Sequence, residues 1–166
     1  MHSFTMRLCD AGLRAGTENT LLVVGMGAAC EIARERVGKD RAKMQQLRDS
    51  MQSQLLEKLP GACARINGHQ SERLPNTLSI SIKGVSAPKL LARIQHRVAC
   101  SAGSACHASE EGEAVHVSYV LQAMRVPKEF AIGTLRLSVG RHTQQEEVNE
   151  AVAVVADAAN ALLVAQ

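Results

Sequence analysis

Aromatic residues are nearly absent from this sequence. They make up 2% of its 166 residues, and there is no tryptophan. So few aromatic side chains leave little surface on which nucleic-acid bases could stack. The 19 basic and 16 acidic residues are spread along the chain and give a formal charge of +3, so they form no concentrated stripe that would track a phosphate backbone. We therefore expect no nucleic-acid partner.

Long apolar runs and export signals are also missing. No segment approaches the roughly 20 apolar residues that a bilayer-spanning helix needs. The first ten residues lack the basic, apolar and small-residue order of a secretion signal. We expect a soluble, cytoplasmic protein with no membrane partner.

The sequence also lacks paired cysteine motifs. The five cysteines form no C-x-x-C pair, and their number is odd, which does not fit a disulfide framework. A zinc site built on Cys100, Cys106 and His107 would lack both the usual ligand spacing and a fourth ligand. We predict no metal site.

The sequence does contain enough apolar residues for one hydrophobic core. Their spacing follows the helical period in some segments and the strand period in others. Apolar residues make up 46% of the chain, which suits a single domain of this length. Two apolar stretches at helical spacing, separated near Gly38, predict either two helices or one long kinked helix. Further helices are predicted after Pro88, over residues 115–124, after Pro127 and from a capping box at Thr143–Glu146, and strands over residues 77–82, 98–100 and 135–139. This alternation predicts an α/β layer architecture with two or three strands and about five helices.

The predicted strand at residues 98–100 leads into a loop of small residues that ends on Cys106. Small side chains cannot shield a neighbouring sulfur, and Gly103 can adopt backbone angles that other residues resist. Cys106 is therefore either a presented thiol or one more small buried residue, since free cysteine is often buried. His107 either tunes this thiol or merely follows it in the sequence.

Two further residues are candidates for binding. Thr17 lies in a polar cluster before an apolar helical run, where its hydroxyl would hold a phosphate at the helix start or would simply cap the helix. Arg136 lies on the polar face of the strand predicted over residues 135–139, because apolar and polar residues alternate there.

Three motifs occur in order along the chain: R-A-G-T-E-N-T at residues 14–20, G-S-A-C-H at 103–107 and L-R-L-S-V-G-R at 135–141. Together they resemble the carboxy-terminal part of the class V aminotransferase family, specifically the cysteine desulfurases and selenocysteine lyases. The resemblance implies an α/β fold, the small carboxy-terminal domain of a pyridoxal-phosphate fold type I transferase preceded by a long connecting helix. Residues 1–38 would then be the end of the large cofactor domain, and residues 39–166 the small domain.

The resemblance also implies a function. Family members are homodimers that hold pyridoxal 5′-phosphate as a Schiff base on a lysine and release sulfur or selenium from a small amino-acid substrate, leaving alanine. Cys106 would act on the chalcogen, Arg136 would bind the substrate carboxylate, and Thr17 would contact the cofactor phosphate of the neighbouring subunit.

The G-T-E-N-T and A-C-H words favour selenocysteine lyase as the activity of the full-length dimer. Two alternatives stay open. One is a cysteine desulfurase that forms a persulfide on Cys106 and passes it to an acceptor protein. The other is a non-catalytic sulfur or selenium carrier or dimerisation module, because the family's cofactor lysine would precede Met1.

Overall fold

The computed structural model describes residues 8–9, 14–15, 17–102 and 117–165. The chain divides into two compact units, Met1–Lys39 and Asp40–Gln166. That the first unit is the end of a larger cofactor domain stays a prediction. Within the described residues, no helix combines the length and the apolar character needed to cross a membrane.

The first unit contains a two-stranded antiparallel pair and the beginning of the longest helix. Strand β1 (Leu8–Cys9) pairs with β2 (Arg14–Ala15), and helix α1 (Thr20–Lys58) follows. The first turns of α1 are apolar on all sides, a composition typical of helices that are buried. Five of these side chains are nevertheless between 63% and 86% exposed in this chain: Leu21, Leu22, Val23, Val24 and Met26.

A single helix covers both apolar stretches that the sequence separates near Gly38. Helix α1 runs from Thr20 to Lys58, so one helix rather than two is correct. A glycine inside a helix costs about 1 kcal/mol relative to alanine, which the surrounding helix-forming residues can offset.

In the second unit, three antiparallel strands form one sheet in the order β3 (Ala64–Ile66), β4 (Thr77–Ile82) and β5 (Thr134–Ser138). Side chains alternate between the two faces of a strand. Leu78, Ile80 and Leu135 are fully buried on one face, and hydroxyl and other polar side chains occupy the opposite face. The strands predicted over residues 77–82 and 135–139 are confirmed to within one residue.

Four more helices accompany the sheet among the described residues. They are α2 (Ala87–Ile94), α3 (Tyr119–Ala123), α4 (Lys128–Ala131) and α5 (Gln145–Val164). The apolar face of the sheet shares one core with Leu55 of α1, Leu90 of α2 and Val152 of α5. The α/β architecture is therefore confirmed.

Two predicted elements differ from the structure. Residues 98–100 do not form a strand; only Ser101 pairs with β5, through an isolated bridge to Arg136. The helix predicted over residues 115–124 begins at Tyr119, whose side chain is 78% exposed rather than packed against the helix, and residues 115–116 lie outside the described residues.

The capping box of α5 lies one residue later than predicted. The Gln144 backbone N–H donates to Glu147 Oε2 at 2.8 Å, so Gln144 is the capping residue. Thr143 is engaged elsewhere, because its hydroxyl oxygen accepts from the Gly140 N–H at 2.9 Å and closes the preceding turn.

Candidate functional site

A cleft of about 320 Å³ opens on the polar face of the sheet. Its polar wall comes from the strands and includes Ser79, Thr134 and Arg136, and its apolar wall comes from α3 and includes Leu121. The cleft thus combines an apolar surface with a few convergent polar groups, which is typical of small-molecule sites.

Arg136 is the one cation among the described residues that line this cleft. Two neighbouring chain segments fix its backbone: Ser79 is its partner on β4, and Ser101 exchanges two backbone hydrogen bonds with it at 2.6 and 3.2 Å. Within the part of the chain that the structure describes, the exposed Arg136 side chain has no ion-pair or side-chain hydrogen-bond partner. An exposed guanidinium whose N–H groups are not engaged by other side chains can donate two parallel hydrogen bonds to a carboxylate.

A buried chain of hydrogen bonds supports the polar wall. The Asn67 side-chain amide donates to Ser81 Oγ at 2.8 Å and to Ser79 Oγ at 3.2 Å, and Ser81 Oγ lies 2.6 Å from Thr134 Oγ1. Asn67 itself is 6% exposed and lines the cleft, and its Oδ1 atom has no hydrogen-bond partner among the described residues. The network fixes the hydroxyls beside Arg136, since Ser79 is paired with Arg136 across the strands.

In the sequence, Asn67 and Gly68 form an Asn-Gly pair, which is typical of a turn. Gly68 does adopt a positive φ of 93° there, which supports that turn. The role of Asn67 in the wall follows from the pairing of β3 with β4, which brings it beside Ser79. The hydroxyl residue at every second position of β4 is the sequence feature that indicates a polar wall on this face of the sheet.

Cys106 and His107 lie outside the described residues, so their predicted roles stay predictions. Two described residues that line the cleft, Ala102 and Ser118, stand on either side of Cys106 in the sequence. Of the described thiols, Cys100 is half-buried, and this burial raises its pKa and so disfavours the reactive thiolate.

Thr17 is exposed and belongs to the first unit. The capping residue of α1 is Asn19, whose Oδ1 accepts from the Leu22 N–H at 3.1 Å. The interpretation of Thr17 as the helix cap is therefore wrong, whereas its predicted contact with a phosphate stays a prediction.

The described residues fit part of a pyridoxal-phosphate site. A hydroxyl close to the positive end of a helix suits the phosphate group. The described residues that line the Arg136 cleft include no lysine to carry a Schiff base. No cluster of three or more potential metal ligands occurs among the described residues.

Comparison with known proteins decides the family. The family model for aminotransferase class-V matches residues 1–151. The chain belongs to this family. Its relatives include a cysteine desulfurase from Sinorhizobium fredii, 36% identical over 86% of this chain, and one from Rattus norvegicus, 33% identical over 86%.

This member of the class-V aminotransferases also shares its fold with solved structures. A NifS-like protein from Rickettsia africae matches 90% of this chain and 37% of its own, with a TM-score of 0.72 and 25% identity. The chain spans only about a third of the length of its curated relatives: 35% of the length of the Sinorhizobium protein and 30% of that of the rat protein. These relatives bear the name cysteine desulfurase, so selenocysteine lyase gains no specific support.

Proposed function

We propose that this chain is the carboxy-terminal part of a pyridoxal-phosphate-dependent cysteine desulfurase that acts as a homodimer in the cytoplasm. The observation that carries the proposal is the unpartnered guanidinium of Arg136 in a cleft of small-molecule size. The names of the relatives favour L-cysteine over L-selenocysteine as substrate, which reverses the preference drawn from the G-T-E-N-T and A-C-H words.

In this proposal Arg136 binds the substrate α-carboxylate through two hydrogen bonds and fixes the position of the substrate side chain. Ser79 and Thr134 supply hydroxyls on the same wall. The α3 side of the cleft would exclude water from the substrate, since Leu121 is buried there.

Cys106 would receive the sulfur. Ala102 lines the cleft and lies four residues before Cys106 in the sequence, and a chain of four residues spans at most about 14 Å. A thiol within that distance of the cleft wall is close enough to be a candidate for attack on a substrate held by Arg136.

The step is balanced without an external oxidant. The Cys106 thiolate attacks the substrate sulfur, the new S–S bond forms, and the substrate C–S bond breaks. Its electron pair stays on the substrate carbon, which takes the thiol proton and becomes the methyl group of alanine, while Cys106 is oxidised to a persulfide. Pyridoxal 5′-phosphate, when bound, supplies the electron sink for the charge at that carbon. Thr17 would contact the cofactor phosphate of the neighbouring subunit.

We further propose that residues 1–38 belong to the larger cofactor domain. The exposed apolar turns at the start of α1 support this assignment, because an all-round apolar helix surface is normally covered.

A chimera tests the proposed function. The 166 residues replace the matching third of the Sinorhizobium fredii relative, and alanine formation is measured with L-cysteine and with L-selenocysteine. We expect turnover of L-cysteine, loss of persulfide formation in Cys106→Ala, and a fall of about 100-fold in kcat/KM in Arg136→Gln.

The matched control is Arg65→Gln, which removes an exposed arginine from β3 on the same polar face of the sheet. Arg65 does not line the cleft, so the change should leave kcat/KM within about twofold, since an exposed charge outside a site has a small effect. A chimera that folds and binds the cofactor but turns over only L-selenocysteine would contradict the desulfurase assignment.

A further inference from the structure

A second groove in the Asp40–Gln166 unit is separate from the Arg136 cleft and has a volume of about 660 Å³. It lies where the turn after β4 and helices α2 and α4 meet the end of α5. Its floor is apolar and includes Val85, Ile132 and Leu162. We call it the basic groove because of the residues on its rim.

Three cations line the rim: Lys83, Lys89 and Arg93. Among the described residues that line the groove, Glu129 is the one carboxylate; it lies 3.1 Å from Lys83 and so offsets a single positive charge. Among the described residues, Lys89 and Arg93 have no ion pair with any acid. The groove therefore carries a net positive charge over an apolar floor.

The placement of Lys89 opposes the local stability of α2, whereas Arg93 lies in the last turn, where a cation suits the helix dipole. Lys89 and Arg93 are four residues apart and share one face of the helix, where like charges repel. Lys89 also lies in the first turn, which contains no acidic residue, and a cation there opposes the helix dipole. Residues that lower local helix stability, with no contact that offsets this cost, are expected at functional surfaces.

We propose that the basic groove binds an acidic segment of a partner protein, with an apolar side chain seated on the floor between carboxylates that pair with Lys89 and Arg93. The positive charge of the rim favours an acidic ligand. The apolar floor favours a peptide, which can place an apolar side chain there, over a free anion. The described residues that line the groove include no aromatic side chain on which a nucleic-acid base could stack. This inference goes beyond the proposed function and does not require desulfurase activity.

The test uses the full chain and a fluorescein-labelled peptide in which leucines recur at helical spacing among glutamates, and binding is read by fluorescence anisotropy at low ionic strength. We expect saturable binding that weakens with added salt. A peptide with glutamine in place of each glutamate should bind about tenfold or more weakly.

The double variant Lys89→Glu/Arg93→Glu should weaken binding of the acidic peptide by about tenfold or more. The control Lys39→Glu/Arg41→Glu makes the same change in net charge at two exposed positions of α1 and should change Kd by less than about twofold. The two changes have opposite effects on the helix dipole, because an acid suits the first turn at position 89 and opposes the last turn at position 93. We therefore expect the double variant to fold, and circular dichroism checks this. Lys89→Gln/Arg93→Gln should give a smaller loss in the same direction.

Four results would overturn the proposal. They are no binding of the acidic peptide at low ionic strength, equal binding of the glutamine peptide, equal loss of affinity in the α1 control, or tighter binding of a single-stranded oligonucleotide than of the acidic peptide. None of these results bears on turnover of L-cysteine by the chimera.

Discussion

Replacing Gly133 with alanine should destabilise the second unit severely. Gly133 connects α4 to β5, and its carbonyl oxygen accepts from the Ile82 N–H at 3.0 Å. A Cβ at this position would lie 2.0 Å from Ile82 O and 2.6 Å from Val85 O, whereas real Cβ contacts stay above 3.0 Å. The turn after β4 would therefore have to move by at least the difference between 3.0 and 2.0 Å, which is 1.0 Å.

Overpacking of a side chain costs about 1–3 kcal/mol, and the displacement also strains the hydrogen bond to Ile82, which contributes about 1 kcal/mol. We expect Gly133→Ala to lower the free energy of unfolding by about 2–4 kcal/mol, measured by urea denaturation of the full chain. Because β5 carries Arg136, the same displacement would disturb the cleft.

Gly38→Ala is the matched control. Gly38 is inside α1, and apart from its chain neighbours and the adjacent helix backbone no atom of the described residues lies within 4 Å of a Cβ built on it. This substitution should raise helix stability by about 0.5–1 kcal/mol. An unfolding free energy of Gly133→Ala within about 1 kcal/mol of the wild-type value would refute the steric argument.

Three more outcomes are expected. Ser81→Ala removes hydrogen bonds to Asn67 and Thr134 from a fully buried site and should cost about 2–3 kcal/mol in urea denaturation; an unchanged midpoint would count against the network. Burial raises the pKa of the folded Cys100 thiol, so an unfolded chain loses that proton first, and stability should fall as pH rises above about 8.5. Cys100→Ala should reduce that fall, and equal slopes would contradict it. In the chimera, Arg136→Lys should raise KM for L-cysteine by about tenfold with a smaller change in kcat, because an ammonium cannot make the two parallel bonds of a guanidinium; an unchanged KM would argue against carboxylate binding.

Strands β4 and β5 and the long helices could be predicted because local periodicity determines them. In β4 the alternation of apolar and hydroxyl residues places Ile80 in the core and Ser81 on the other face, whatever the neighbouring strand is. The exposure of Arg136 follows from the same alternation in β5.

The cap positions depended on competition between neighbouring groups, which a sequence does not resolve. Thr143 and Gln144 are both next to the start of α5, and the turn with Gly140 takes the Thr143 hydroxyl. Likewise Thr17 and Asn19 are both good capping residues, and the structure selects Asn19.

The wall of the cleft could not be predicted, because it depends on contacts between distant residues. Asn67 meets Ser81 across 14 positions of sequence, and Ser81 meets Thr134 across 53. These contacts require the order and register of all three strands, which local patterns do not specify.

The most direct test of the central claim locates the sulfur after a single turnover. The chimera is mixed with L-cysteine below its KM, trapped with an alkylating agent, and each cysteine-containing peptide is examined by mass spectrometry. The proposed function predicts one extra sulfur atom on the peptide that contains Cys106, and about a tenth of that loading or less in Arg136→Gln. Sulfur on a different cysteine, or equal loading of Cys106 in both proteins, would contradict it.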